Sequence, residues 1–347
     1  MSVGSKLSRD QRESIQMARL KALAGSDNKI ETLADLAKLP VLRKEKLVEL
    51  QQSSPPLGPL QQANFSHLYQ SPGPIYEPGF KVPDPWRFGR FLKAIEIGSN
   101  DIAQNTFAYH FTPAGAMFDT SAQAVGAVVF PAGPGQSNKQ AEIAAKIKTT
   151  VYCGTPDFLQ VILEKGDEMG LDLSSIKHAA VSAGPLFPQL RQAYADRGIR
   201  CRQCYGTADV GLIAYETVDI TESMVIDENV IVEIVSPGTS DPVAPGEIGE
   251  VLVTVLTDHH SLLRFSVGDL SAIVDPDAEQ PCIVGWRGRA DQAAKVRGMF
   301  IRPEQVSTLV NSHPAINRAR VEISSEGLKD TIEVKLESTE TDSVQFE

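Results

Sequence analysis

Apolar and polar positions along the chain first predict a helix over Gln11–Leu23. A short helical pair follows in LADLAKLP (Leu33–Pro40) and RKEKLVEL, broken by Pro40. QQSSPPLGPL and YQSPGPIYEPG carry Pro and Gly at the density of loops. The pattern then alternates. PWRFGRFLKAIEIG reads as a helix, and SAQAVGAVVFPAG as a helix end feeding a buried strand at Ala127–Phe130. NKQAEIAAKIK is helical and TTVYCG is a short β-rich run. PDFLQVILEKGDEMG places Phe158, Val161 and Ile162 on one helical face, with Asp157 near its start. KHAAVSAGPL is a strand and turn, PQLRQAYADRG a helix with Leu190 and Tyr194 on one side that Gly198 stops, and CRQCYG a strand.

Strand–helix alternation of this kind predicts an α/β fold, with a mostly parallel sheet covered by helices on both faces. Beyond Tyr215 the rhythm changes. VIVEIV, EVLVTVL and LLRFSVGDLSAIV are β runs joined by turns, which predicts a small antiparallel sheet or barrel-like subdomain. IRPEQVSTLVNSHPAINRARVEI and DTIEVKLE add a helix and two strands, a small α+β piece. The division expected is a large domain over residues 1–290 and a partial C-terminal lid over 291–347.

A formal net charge of −11 argues against a nucleic-acid or anionic-membrane surface. No apolar run approaches the roughly 20 residues that span a bilayer, and MSVGSKLSRDQRES has no apolar signal region, so a cytoplasmic location is expected. Cys201 and Cys204 form a CxxC. A closed zinc site needs about four ligands, however, and no second CxxC or HxxxH follows. The pair sits in a strand-like run whose alternate residues face opposite sides, which favours a structural reading.

Three later segments carry the chemistry: CRQCYGTADVGLIAYE (Cys201–Glu216), LLRFSVGDLSAIV (Leu262–Val274) and GWRGRADQAAKVRG (Gly285–Gly298). Each couples an apolar strand to Gly and to a charged side chain, as a site needs when it approaches a ligand with bare backbone and fixes it with charge. Their order and spacing resemble the adenylate-forming (acyl-coenzyme A synthetase) superfamily, in particular its phenylacetate–coenzyme A ligase branch. The resemblance runs from LADLAKLPVLRKEKL to PEQV near Val306.

The resemblance implies roles for individual residues. Tyr205-Gly206-Thr207-Ala208-Asp209 matches a YGxTE-type motif, in which Tyr205 and Gly206 border adenine. The motif's hydroxyl position is Ala208, so Thr207 supplies a hydroxyl to the α-phosphate only by facing differently. Asp209, one methylene shorter than the usual Glu, holds Mg²⁺. In AAVSAGPLFP the backbone of Ser182, Ala183, Gly184 and Pro185 lines the adenine, with Gly184 replacing a Glu. Asp269 receives the ribose hydroxyls and Arg289 also grips the ribose. Asp291 is the hinge of the C-terminal domain, and Lys295 and Gly298 complete that motif. Phe107, Tyr109, His110 and Phe111 in NTFAYHFTPAG either line an acyl pocket or form an ordinary core strand.

Two departures accompany the match. The family's phosphate loop, rich in Gly, Ser, Thr and Lys, corresponds to Gln70-Ser71-Pro72-Gly73-Pro74-Ile75-Tyr76-Glu77-Pro78. There two prolines remove backbone donors and Glu77 brings negative charge. The family's late Lys has no counterpart before Glu347, which implies either a truncated chain or the loss of that element. The function implied is an AMP-forming carboxylic acid–coenzyme A ligase using ATP, Mg²⁺ and coenzyme A on an aryl or arylacetic acid. A carrier protein is an alternative acceptor, and a homodimer is compatible with the reading. The alternative is a catalytically degenerate protein that binds nucleotide or acyl-adenylate and serves as a partner subunit.

Overall fold

A computed structural model describes residues 8–24, 30–58, 65–71, 74–275, 278–290, 294–296, 299–301, 303–326 and 329–338. Helices α1 (Arg9–Ala24), α2 (Leu33–Leu36) and α3 (Lys44–Ser53) precede an antiparallel hairpin of β1 (Phe65–Ser71) and β2 (Ile75–Phe80). The alternating region follows: α4 (Phe88–Ala94), β3 (Ile102–Asn105), α5 (Ala114–Ala124), β4 (Val128–Pro131), α6 (Ser137–Ile147), β5 (Val151–Gly154), α7 (Pro156–Glu168), β6 (His178–Val181), α8 (Pro188–Asp196) and β7 (Arg200–Thr207). Next come β8 (Gly211–Tyr215), β9 (Met224–Ile226), β10 (Val230–Val235), β11 (Gly249–Leu256), β12 (Ser261–Ser271) and β13 (Cys282–Ile283). The chain continues with β14 (Ala294–Val296), β15 (Met299–Ile301), α9 (Pro303–Ser312), β16 (Ile316–Glu326) and β17 (Lys329–Ser338).

The fold is α/β as expected. An eight-stranded sheet has the order β13-β9-β8-β7-β6-β5-β3-β4. It is parallel from β4 to β7 and antiparallel from β7 outward. Its buried strands are apolar on both sides because helices cover both faces. Tyr152, Ala179 and Val181 face one side and pack with α6, α7 and α8. Val151, Cys153 and Ala180 face the other and pack with α4 and α5. Cys201 joins the first of these clusters and Cys204 the second, so the CxxC divides across the sheet and its buried thiols serve packing. The antiparallel sheet β10-β11-β12 is likewise covered twice, by α1 and α2 through Leu20 and Leu36 and by a larger cluster that includes Tyr205.

The structure corrects three details. Val128–Pro131 is an edge strand, with Val128 61% exposed, because AVVF cannot by itself distinguish a central from an outer strand. YQSPGPIYEPG does not form a plain loop but supplies most of the β1–β2 hairpin. Pro78 is tolerated there because it shares the register of Gln70 and Tyr76, whose N–H groups point out of the ribbon to Phe111 and Gln51, so no β1–β2 ladder bond is lost. On α7 the buried face is Leu159, Ile162, Leu163 and Gly166, while Val161 points outward.

That face carries a stability test. Ile162→Ala should lower the unfolding free energy by about 2–5 kcal/mol, and Val161→Ala should change it by only about 0.5 kcal/mol. Equal losses in urea denaturation would return Val161 to the buried face.

Candidate functional site

A cavity of about 1450 Å³ opens beside β7. Its walls are the turn after β6, helix α8, β7 itself, Asp269 on β12, the segment 284–288, Glu222 and Met224, and Ser307, Thr308 and Asn311 on α9. The turn is fastened to β7 twice. Ser182 Oγ donates to the Cys204 carbonyl at 2.9 Å, and Gln203 Nε2 donates to the Gly184 carbonyl at 3.0 Å. Ala183 adopts a left-handed φ of 59°, which turns the chain sharply so that residues 182–185 line the cavity.

The opposite wall is organised by one carboxylate. Asp269 Oδ2 accepts from the Tyr205 hydroxyl at 2.8 Å. Its Oδ1 accepts from Trp286 Nε1 at 3.1 Å and from Arg289 Nη1 at 3.2 Å. Burial, reinforced by the adjacent carboxylate, holds the Tyr205 phenol well above its ordinary range, so it remains a donor. A Cβ on Gly268, whose φ is 76°, would stand 2.8 Å from the Arg289 guanidinium. The Gly of the GD pair thus leaves room for the arginine.

A second cluster lies past the end of β7. Asp209 is 5% exposed, and its Oδ2 pairs with Lys44 Nζ at 3.0 Å, with Thr207 Oγ1 at 3.5 Å. Its Oδ1 has no hydrogen-bond partner among the described residues. His260 Nε2 lies 2.6 Å from the Asp209 carbonyl, which requires a proton on that nitrogen. Burial lowers this imidazole to about 4, so it is neutral. Glu77 on β2 is 2% exposed. Burial pushes its carboxyl up to about 7; Asp209 adds to that push, while Ser71 and Lys44 oppose it. Neither Glu77 oxygen makes a hydrogen bond of normal geometry among the described residues.

Ser182, Ala183, Gly184, Pro185, Tyr205, Gly206 and Asp269 therefore share one cavity, with Arg289 on the Asp269 carboxylate. Thr207 and Asp209 follow directly on the same strand and turn. The aromatic segment does not line this cavity. Phe107 is core, stacked on Phe118 at 4.6 Å, and the Tyr109 hydroxyl donates to Asp119 at 2.7 Å. His110 is exposed, and Phe111 is 73% exposed with a φ of 63°, so the segment is not a regular core strand either. Asp291, Gly298, Pro72, Gly73 and the Lys295 side chain lie outside the described residues. Sequence reasoning missed Trp286, Gln203, Lys44 and His260. Of these, Trp286, two residues before the GR pair, and Gln203, two before the YG pair, carried a local signal. Among the described residues no group of three or more His, Cys, Asp or Glu could hold a metal ion, and no helix there is long and apolar enough to cross a membrane.

Comparison with known proteins finds relatives over most of the chain. Residues 107–255 match the family described as AMP-binding enzyme. The chain is 26% identical over 326 residues to the phenylacetate–coenzyme A ligase of Aromatoleum evansii, covering 89% of this chain and 73% of that protein. It is 26% identical over 348 residues to that of Escherichia coli, covering 95% and 79%. Among solved structures, an open conformation of 2-hydroxyisobutyryl-CoA ligase in complex with 2-HIB-AMP and CoA superposes with a TM-score of 0.82 at 18% identity, covering 97% of this chain and 86% of that one. The resemblance to the adenylate-forming proteins, and within them to the phenylacetate–coenzyme A ligases, is borne out.

Glu77 makes the site's environment measurable. Its carboxyl ionises near 7 in the folded chain, against 4.5 ordinarily, so its stabilising contribution is complete below about 4.5 and is lost as pH rises through 7. Glu77→Gln should flatten the fall in unfolding free energy between about pH 4.5 and 7 in chemical denaturation. An unchanged slope would mean that the group is solvated or paired.

Proposed function

We propose that this chain is an AMP-forming carboxylic acid–coenzyme A ligase acting on a small aryl or arylacetic acid. The observation that carries the reading is the convergence of Tyr205 and Asp269 with the 182–185 turn on one cavity, with Arg289 paired to the Asp269 carboxylate. In the first half-reaction a carboxylate oxygen attacks the α-phosphorus of ATP, and the bond to pyrophosphate breaks. In the second, a thiol sulfur attacks the acyl carbon, AMP leaves, and the thiol proton passes to solvent. Coenzyme A is the acceptor in this reading, with a carrier-protein thiol as the alternative and a homodimer as the assembly to test. The aryl class draws on the curated relatives, which are phenylacetate–coenzyme A ligases.

In this proposal Asp269 and Arg289 hold the ribose, while Tyr205 and the 182–185 backbone flank the adenine. The orphaned Oδ1 of Asp209 and the Thr207 hydroxyl form an oxygen donor set suited to Mg²⁺, which binds mainly through phosphates and water when a protein offers a single carboxylate. When bound, such an ion offsets phosphate charge. Lys44, already at Asp209, adds a cation to the same region. The segment 291–347 is read as a lid turning about Asp291.

A second reading, a binder of nucleotide or acyl-adenylate without ligase activity, is favoured by one observation. Glu77 stands in the phosphate-loop hairpin, buried and close enough to Asp209 for their charges to interact.

Pyrophosphate release with ATP across a panel of aromatic acids separates the two readings. The ligase should release it with at least one acid, and Asp209→Asn should slow this at least about tenfold, equivalent to about 1.4 kcal/mol. Under the binder reading no acid releases pyrophosphate and calorimetry finds AMP bound at least as tightly as ATP. Glu77→Gln should then raise ATP affinity selectively.

A further inference from the structure

Asp269 is more fully occupied than a ribose-binding carboxylate can remain. A carboxylate oxygen accepts about two hydrogen bonds. Oδ1 already takes Trp286 at 3.1 Å and Arg289 at 3.2 Å, and Oδ2 takes Tyr205 at 2.8 Å. About one acceptor position is left, whereas a vicinal diol needs two. One of the three donors must therefore yield.

The donors differ in what yielding costs. Tyr205 is 7% exposed, so its hydroxyl would be left buried without a partner. Arg289 holds Asp269 by a charge-assisted bond and by a backbone bridge between the two residues. Trp286 is 50% exposed, and its neutral N–H can exchange the carboxylate for water with little desolvation penalty. The backbone beside it is pinned, because Arg287 N donates to the Leu270 carbonyl at 2.8 Å and Leu270 N donates to the Gly288 carbonyl at 2.9 Å. The movement required is thus a side-chain rotation. The indole also lines the cavity, so a displaced ring remains beside whatever displaced it.

We infer that Trp286 is an affinity-setting gate for nucleosides: its indole N–H occupies Asp269 in the free protein and is displaced by the ribose diol on binding. The inference rests on the proposed role of Asp269 as the ribose acid. It adds a competing residue on this chain that makes binding of any ribonucleoside weaker than the pocket would otherwise allow.

The sequence has two tryptophans, and the other, Trp86, is 6% exposed in a core cluster. Emission can therefore be assigned with Trp286→Phe, which keeps an aromatic ring and removes the donor. Full-length wild type and variant are titrated with AMP and with 2′,3′-dideoxy-AMP, by calorimetry and by intrinsic fluorescence. Unchanged Trp86 emission and melting temperature serve as the folding control. AMP should shift the wild-type emission and leave that of the variant unmoved. The variant should bind AMP about three- to tenfold tighter, the factor expected for releasing one competing hydrogen bond. The dideoxy compound, lacking the diol, should bind both proteins alike. AMP binding to wild type without an emission change, or variant affinity equal to or below that of wild type, would overturn the gate while leaving the adenylate reading standing. Absence of AMP binding to both proteins would overturn the reading on which the gate rests. Binding to the variant alone would be the gate in its strongest form.

Discussion

Asp269 on β12 gathers three donors from two other parts of the chain: Tyr205 on β7, and Trp286 and Arg289 just beyond β13. The first belongs to the eight-stranded sheet and β12 to the three-stranded one. The carboxylate therefore works as a joint between the two sheets, alongside the backbone bridge between Ile273, just beyond β12, and Ile283 on β13. Stranding the buried Tyr205 hydroxyl or the buried Asp269 carboxylate without its partner costs about 1–3 kcal/mol. The relative setting of the two sheets is thus tied to the integrity of the cavity wall. Tyr205 reinforces the tie, since its ring packs in the hydrophobic cluster of β10, β11 and β12 while its hydroxyl reaches Asp269.

The glycines around this joint are positioned by close approach. A Cβ at Gly206 would lie 2.6 Å from the Gly211 carbonyl oxygen, so β7 and β8 could not close their pairing there. Together with Gly268 beneath the Arg289 guanidinium, this gives the YG and GD pairs a packing reason independent of any ligand. It also explains why short motifs from such distant stretches can mark one place in space.

Much of the molecule could be read from the sequence because its elements signal locally. The parallel core announces itself in VYCG and HAAV, apolar on both sides as strands between two helical layers must be. Tyr205, Asp269 and Arg289, which the structure brings together, each sit beside a glycine in a short motif. The errors have the opposite character. Edge and centre are properties of the neighbours of a strand, so the sequence alone reads Ala127–Phe130 as buried whereas Val128–Pro131 is an edge. Pro and Gly hid the β1–β2 hairpin because those residues report local dihedral preference and not pairing. On α7 the apolar face turns toward Leu159 and Leu163, which a face of Phe158, Val161 and Ile162 does not include. His260 and Lys44 were invisible for a simpler reason. His260 acts on a partner 51 positions away and Lys44 on one farther still, and neither lies in a motif around Asp209.

The stretch between α2 and α3 is woven into β12 by backbone and side chain alike. Leu42 N donates to the Arg264 carbonyl at 3.0 Å, and Ser266 N donates to the Leu42 carbonyl at 2.9 Å. The fully buried Arg264 sends Nη1 to the carbonyls of Ala37 and Leu39 at 2.7 and 2.5 Å. Two residues beyond Leu42, Lys44 supplies the counter-charge of Asp209. The early helices are therefore part of the electrostatic floor of the site and not an appendage to it. A homologue that shed or swapped this stretch would inherit a buried carboxylate with no cation opposite it, together with a buried arginine deprived of two acceptors. Evolution of the N-terminal region is thereby coupled to evolution of the turn that follows β7, so that one is expected to vary only in step with the other.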